Sequence, residues 1–407
     1  MIEAGARQMA GFKAFYQFAA PTRVIAGEDL IDSTGFEFAK ENAARPLIVT
    51  DAVIRETGLI DRVVTGVEDG GLEVAATFDA VPQDSDTEVV ERCAEAAKKA
   101  GADSFLAVGG GSVMDTAKAA NVVFTHGGTV REWEGFLTLP RDNDGSGRPV
   151  PLAPLAAIPT TAGTGSEASF AAVVKDRAEN IKVEIGDSAL FPELAILDPA
   201  ATATLPAPIA AATGMDALTH AIEGHVSSEW NPHADAFALQ AIRLIRDNLE
   251  RAVADTSDTE ARGNMLIAAS LAIAPSGSGA IGITHSMSHP CGGYYEVAHG
   301  VANSINLPWV IEYNAAGGED IADRYRTIAE LIGADASGDA EAVGKALADH
   351  VRELSSRLGL PGRLSEVGVP EEGIPALVEG AMGDGCTLVN PREPSEDDFA
   401  ELYRRAL

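Results

Sequence analysis

The residues best suited to chemistry lie in the second half of the chain: Asp216-Ala-Leu-Thr-His220, His285-Ser-Met-Ser-His289 and His299. Each of the first two pairs is spaced i, i+4, which on a helix places both side chains on one face. A carboxylate converging with several imidazoles suits a divalent transition metal such as Zn or Fe(II). One such pair occurs on many solvated or core helices and carries little weight. Two pairs in a chain with only 8 His, three of them between positions 285 and 299, point to a metal site. Spacing alone leaves open whether His289 is a further imidazole ligand or a neighbour. Cys291, between His289 and His299, is a conceivable ligand that the set does not need.

Two loops in the first half could hold an anionic cofactor. Gly109-Gly-Gly-Ser112 follows the apolar run Ser104-Phe-Leu-Ala-Val108 and precedes Val113-Met-Asp115-Thr-Ala-Lys118. Glycines there allow positive φ and close backbone approach by a ligand. A helix starting at this point would offer free N–H groups and its positive dipole end to a phosphate. The pattern is not GxGxxG, so no Rossmann fingerprint is present, and a plain tight turn would read the same. Pro159-Thr160-Thr161-Ala-Gly-Thr164-Gly-Ser166-Glu167 adds hydroxyls and glycines of the kind that line a pyrophosphate or ribose. By itself it would be a capped helix start, with Ser166 and Glu167 near the N-terminus. Two such loops in one α/β domain indicate a nucleotide. Asp51, at the end of an early strand, could accept hydrogen bonds from an adenosine ribose. It would repel a 2′-phosphate, favouring NAD over NADP, unless it is only a turn or cap residue.

These groups need a scaffold, and the apolar patterning supplies one. Pro46–Thr50, Leu72–Phe78, Ser104–Val108 and Leu155–Ile158 read as buried strands, and Glu88–Ala100 as an amphipathic helix. Strands alternating with helices imply a parallel α/β sheet. The run Arg141–Arg148 is a turn-rich excursion within this half. After Leu197-Asp-Pro199 strand signals nearly vanish, and helical patterns such as Ala234–Leu249 and Arg262–Ile273 follow. The expected organisation is an α/β dinucleotide-binding domain over 1–199 and a helical metal-binding domain over 200–407.

Composition sets further bounds. With 407 residues, 46% apolar and 22% charged, the chain can form two ordinary globular cores. Its net charge of −31 is unusual: 61 Asp and Glu oppose 30 Lys and Arg, spread along the chain with no acidic block. That distribution favours adaptation to high salt over a strongly basic partner, and nucleic acid is not expected on such a surface. The 3 Cys are odd in number and widely spaced, which suits a reducing cytoplasm without disulfides. The N-terminus lacks an apolar leader core and no stretch is long enough to span a membrane, so a cytoplasmic protein with no membrane partner is expected.

The motifs together resemble the iron-containing (group III) alcohol dehydrogenase family. They are Pro21-Thr-Arg23 with Gly27, the glycine turn through Asp115, Pro159–Thr164, Thr213–Glu223, His285 with His289, His299-Gly-Val-Ala-Asn303, and Asn390-Pro-Arg392. The resemblance implies an α/β N-terminal dinucleotide-binding domain and an all-helical C-terminal domain of the dehydroquinate synthase-like architecture, with the active site in the cleft between them. It makes Asp216, His220, His285 and His299 the ligands of Fe(II) or Zn, and places His289 beside nicotinamide and substrate. It lines the NAD site with Asp51, Gly110, Gly111, Ser112, Asp115, Thr160, Thr161, Thr164, Ser169 and Lys182, and suggests a homodimer or larger homo-oligomer. Gln83, Ala171, His225 and Ser276 depart from the family pattern at the substrate end, so no particular alcohol or aldehyde is carried over.

The activity this implies is hydride transfer between a nicotinamide cofactor and a metal-held alcohol or aldehyde, with His289 as proton relay. A hydroxyacid–oxoacid transhydrogenase would use the same site with NAD that is never released. A non-enzymatic metal- or nucleotide-binding protein is the remaining alternative.

Overall fold

The structure, a computed structural model, describes residues 15–142, 145–179, 181–274 and 281–407. Ser276, the middle of the 141–148 turn and the N-terminal stretch before residue 15 lie outside the described residues. The chain forms two compact units, Ala20–Leu205 and Pro206–Leu407, the latter joined by residues 15–19. Of those, Tyr16 hydrogen-bonds His233 and Phe18 packs on His233 and Phe237.

The first unit contains strands β1 (Arg23–Ala26), β2 (Pro46–Val49), β3 (Ala76–Phe78), β4 (Ser104–Gly109), β5 (Gly135–Phe136), β6 (Leu155–Pro159), β7 (Ala171–Asp176), β8 (Ile181–Gly186) and β9 (Leu194–Leu197). Its helices are α1 (Thr34–Phe38), α2 (Ala52–Glu56), α3 (Leu59–Asp69), α4 (Thr87–Ala100) and α5 (Gly111–His126). Six strands form one sheet in the order β1-β9-β6-β4-β2-β3, with every pair parallel. Strands β2, β4, β6 and β9 are buried along their whole length, as strands covered on both faces must be. Alternation divides them cleanly. Leu47, Val49, Phe105 and Ala107 pack with α4 and α5 residues such as Val90 and Ala117. Ile48, Leu106, Val108 and Ile158 pack with Phe38, Val63 and Val67 on the other face. From β2 the chain steps out to β3, then returns past β2 to β4, so the strand order reverses between β2 and β4. In parallel sheets, ligands bind outside the carboxyl ends of the strands at such a point.

One expected strand is shorter than its apolar run, and five strands among the described residues were not foreseen. The run Leu72–Phe78 is a strand only over Ala76–Phe78, because its partner β2 begins at Pro46, which has no N–H to extend the ladder. Residues before it are held by single bonds, Glu73 N to Ala44 O and Ala75 N to Pro46 O. The hairpin β7–β8, its short partner β5 and the edge strand β1 carry charged or exposed positions and lack the apolar runs that revealed the others. Strand β9 is wholly buried, yet it lies immediately before the Asp198-Pro199 break and is only four residues long.

The second unit contains α6 (Ala207–Val226), α7 (Pro232–Ala254), α8 (Thr259–Ile273), α9 (Ile283–Tyr295), α10 (His299–Ala315), α11 (Glu319–Ile332), α12 (Ala340–Arg357), α13 (Ile374–Met382) and α14 (Glu396–Ala406). The two helices read from periodicity fall within α7 and α8. From Ala211 onward α6 is buried on nearly all sides, which makes it the axis of the unit. It packs against α7, α8, α10 and α11. His225 lies near its end. It is buried in a polar knot in which its Nδ1 lies 2.9 Å from Asp235 Oδ1, and Arg324 Nε donates to its carbonyl at 2.7 Å. Among the described residues, no helix is long and apolar enough to cross a membrane.

Gly300 sets how closely α10 approaches α6. A Cβ there would lie 2.2 Å from Ala212 O and 3.4 Å from Asp216 Cβ, so only glycine permits the contact. Gly300→Ala is expected to spread the two helices, lower stability by about 1–3 kcal/mol and reduce bound metal. Thermal unfolding and metal analysis of the purified variant measure both effects, and a variant with unchanged values would show that the contact is not limiting.

Candidate active site

The candidate cofactor loops sit at the carboxyl ends of three adjacent strands of the first unit. Asp51 follows β2, Gly109–Ser112 ends β4 and opens α5, and Thr160–Thr164 follows β6, with Gly109 paired to Pro159. The glycines are needed here for space and not for positive φ. Among Gly109, Gly110 and Gly111 none has positive φ, which corrects the sequence expectation. A Cβ on Gly109 would lie 2.5 Å from Val113 Cγ2, and one on Gly111 2.8 Å from Thr164 Cγ2. The two loops therefore interlock, with Thr160 N donating to Gly109 O at 3.0 Å. The N-cap Gly110 provides no side-chain bond, so the start of this helix can offer its N–H groups to an anion. Asp51 does cap a helix: its carboxylate accepts from Ile54 N at 2.8 Å.

Behind the loops lies a buried ionic tie that sequence reasoning missed. Lys118 is fully buried and donates to Ser169 O and Oγ at 2.9 Å and to Ala171 O at 3.0 Å. Asp115 accepts from Ser166 Oγ at 2.7 Å and from Val173 N at 3.2 Å. Thus Asp115 and Ser169 join α5 to the loop and to β7, while Ser112, Thr161 and Thr164 remain half-buried at the front. Lys182 stands opposite Lys175 in the β7–β8 hairpin. Burial pushes the Lys118 amine down to about 8 against the pull of Asp115 and Glu167, and pushes the Glu167 carboxyl up to about 7. The signal for Lys118 was present in its period: it falls on α5 between fully buried alanines.

In the second unit, α6 supplies Asp216 and His220, α9 supplies His285, and His299 is the first residue of α10. One potential ligand atom from each of Asp216, His220 and His285 lies within 4.8 Å of the others, and all three residues are buried. Asp216 Oδ1 is 3.9 Å from His220 Nδ1, 3.8 Å from His285 Nε2 and 3.5 Å from His299 Nε2. Burial works against the ionised Asp216, but the imidazoles of His220, His299 and His285 hold its carboxyl well below the usual range. Burial likewise pushes His220 down to about 4. His220 Nδ1 is buried without a hydrogen-bond partner, and a neutral imidazole with a free nitrogen beside a carboxylate is what a divalent ion requires. The donor set fits such an ion. Cys291 takes no part, since its thiol donates to Met287 O within α9.

Three further groups complete this cluster. Glu223, one turn beyond His220 on α6, accepts from His285 Nδ1 at 2.6 Å, from Thr284 N at 2.6 Å and from Gly282 N at 2.9 Å. It caps α9 from a neighbouring helix and turns His285 Nε2 toward Asp216, the orienting role that carboxylates play behind ligating histidines. Asn303, one turn after His299, places Nδ2 2.8 Å from Asp216 Oδ1 and 3.2 Å from both His285 Nε2 and His299 Nε2. Asn390 bonds reciprocally with Asn314, at 3.1 and 2.7 Å, and its Oδ1 accepts from Ile283 N at 3.4 Å. That explains why an Asn-Pro-Arg turn near the C-terminus belongs to this site. Glu223, Asn303 and Asn390 all lay within recognised motifs, but their roles were unread.

His289 lies apart from the ligand atoms, its ring stacked on that of His299 with centroids 5.4 Å apart. Its Nδ1 is 2.6 Å from Asp384 Oδ2. Asp384 also accepts from Cys386 N at 2.9 Å. Burial opposes its ionisation, but His289 keeps the carboxyl well below the usual range. An ionised Asp384 fixes the proton on Nδ1 and leaves Nε2 as the basic nitrogen. Nothing in the sequence marked Asp384.

Two family models span nearly the whole chain: iron-containing alcohol dehydrogenase over residues 21–199, and the C-terminal part of the Fe-containing alcohol dehydrogenase family over residues 210–407. The chain is 37% identical over 392 residues to the NAD-dependent methanol dehydrogenase of Bacillus methanolicus, covering 96% of this chain and 99% of that one. Among solved structures it is similar to a 1,3-propanediol oxidoreductase, with a TM-score of 0.90 and 34% identity, covering 97% of this chain and 100% of that one. It is also similar to an archaeal halo-thermophilic alcohol dehydrogenase from a Red Sea brine pool, with a TM-score of 0.87 and 28% identity, covering 98% of this chain and 100% of that one. The chain belongs to the iron-containing alcohol dehydrogenase family, and is a NAD-dependent oxidoreductase of that family.

Proposed function

We propose that Asp216, His220, His285 and His299 hold a divalent ion, Fe(II) or Zn, and that this enzyme interconverts small alcohols and aldehydes with NAD in preference to NADP. The observation that carries this reading is the buried Asp216 carboxylate facing three imidazoles, one of them oriented by Glu223. When bound, the ion supplies Lewis acidity and the dinucleotide accepts or donates the hydride. The protein's own groups do the rest. The free N–H groups at the start of α5, with Gly110, Gly111, Ser112, Thr160, Thr161 and Thr164, bind the dinucleotide phosphates. Asp115 and Ser169 support that loop, Lys182 lines the dinucleotide site, and Asp51 takes the adenosine ribose. His289 receives the alcohol proton at Nε2 and passes it to solvent, while Asp384 holds the ring by its Nδ1–H.

Support for a small substrate comes from relatives that carry methanol or 1,3-propanediol in their names. The broad acidity supports a high-salt habitat, as does likeness to an enzyme from a brine pool. We further propose a cytoplasmic homodimer or larger homo-oligomer. The direct test of the activity is a panel of short alcohols, diols and aldehydes with NAD and NADP, with Fe(II) or Zn added back. Absence of any cofactor absorbance change across the panel would leave only a binding role.

The two histidine roles separate in variants. His285→Ala should empty the metal site, seen by metal analysis. His289→Ala should retain the ion and lose roughly 10²–10⁴-fold in rate, so a full-rate variant would remove the relay. Asp51→Ser keeps a helix cap but loses the charge. It is expected to raise kcat/KM with NADP relative to NAD on the order of tenfold, and an unchanged ratio would dismiss Asp51 as the discriminator. Salt should raise the thermal midpoint by screening carboxylate repulsion; equal activity and midpoint in dilute buffer would count against a halophilic origin.

A further inference from the structure

We propose that His289, Asp384 and Cys386 form a second divalent-metal site, distinct in its ligands from the Asp216 set and selective for thiophilic ions such as Zn(II) or Co(II). One potential ligand atom from each residue lies within 4.8 Å of the other two, and all three residues are half-buried. Solvent therefore reaches the cluster. Asp384 is its hub. It accepts from His289 Nδ1 at 2.6 Å, from Cys386 N at 2.9 Å and from the Cys386 thiol. Imidazole, carboxylate and thiol already point at one another, joined by protons that an ion can replace.

The exchange balances without any redox partner. The thiol proton leaves to solvent and the sulfur becomes a thiolate. The imidazole proton moves from Nδ1 to Nε2, which frees the Nδ1 lone pair, and Asp384 is already ionised. One proton is released for each ion bound. A thiolate–imidazole–carboxylate set prefers Zn(II) or Co(II) to Mg(II) or Ca(II), and three protein donors leave a position for water. The Asp216 set offers no sulfur, so the two sites differ in chemistry. The other cysteines do not compete: Cys93 and Cys291 are fully buried, and burial pushes the Cys291 thiol up to about 12. Because His289 stacks on His299, an ion held by His289 would occupy the relay. This consequence, excess zinc acting as an inhibitor, rests on the relay reading above; the existence of the site does not.

Cobalt titration of the metal-free full chain is the test, followed by metal analysis after dialysis and by absorbance. The expected result is two ions per chain, the second accompanied by a near-ultraviolet thiolate-to-cobalt charge-transfer band. Cys386→Ser and Cys386→Ala should each lose that band and the second ion while keeping the first. Asp216→Ala should lose the other ion and keep the band. A single ion without a thiolate band, or a band that persists in both Cys386 variants, overturns the proposal. If the thiolate-linked ion binds but Asp216→Ala leaves the ion count unchanged, the second site stands and the assignment of the Asp216 set fails instead. In rate assays, Cys386→Ser should weaken inhibition by excess Zn(II) about tenfold or more. A thiolate-linked ion that binds without inhibiting supports the site and refutes the relay.

Discussion

One buried negative charge organises the helical unit. Asp216 is almost fully enclosed on the central helix α6, and an isolated carboxylate in that position would be prohibitively costly. The imidazoles of His220, His285 and His299 meet this demand, and each arrives on a constrained element. His220 follows by one helical turn. His285 is aimed by Glu223, a second buried carboxylate on the same helix, and His299 comes within reach because Gly300 lets α10 touch α6. Two carboxylates thus share one histidine, and that arrangement raises the charged form of His285 although burial opposes it. A divalent cation held by such a set would take the place of its protons and engage the free nitrogen of His220.

Rigidity spreads outward from this centre through hydrogen bonds. Glu223 fixes the start of α9; Asn390 meets the same turn and locks to Asn314, whose Nδ2 also reaches Tyr325 Oη at 3.2 Å. The C-terminal turn that carries Asn390 follows directly on Asp384, the partner of His289. The Asp216–histidine cluster and the His289–Asp384 pair are therefore both braced by one continuous segment, Asp384–Arg392. The α/β unit solves a comparable problem with opposite sign: Lys118, a buried cation, is satisfied by two carbonyls and a hydroxyl, and thereby ties down the loop that interlocks with the glycine turn.

Much of this was legible from residue types and short spacings. The i, i+4 spacings placed Asp216 with His220 and His285 with His289 on single helices, the alternation of apolar runs and helical periods announced a parallel α/β sheet, and the motifs announced the family. Residues at short range declare themselves because helix and strand periods put them on one face. The glycine turn was found for a partly wrong reason: its glycines answer to Val113 and the neighbouring Thr161–Thr164 loop and not to positive φ. Strand Leu72–Phe78 was too long because the limit comes from its partner, Pro46.

What sequence determined, then, was the inventory of candidate ligands and the local elements that carry them. Only the tertiary structure decided how those ligands are held. Glu223 and His285 are 62 positions apart, Asp216 and Asn303 are 87 apart, and His289 and Asp384 are 95 apart. No local period relates such residues. They meet because a buried carboxylate, such as Asp216 or Glu223 on α6, must find partners on other elements, and that requirement is imposed by packing, not by neighbours in the chain.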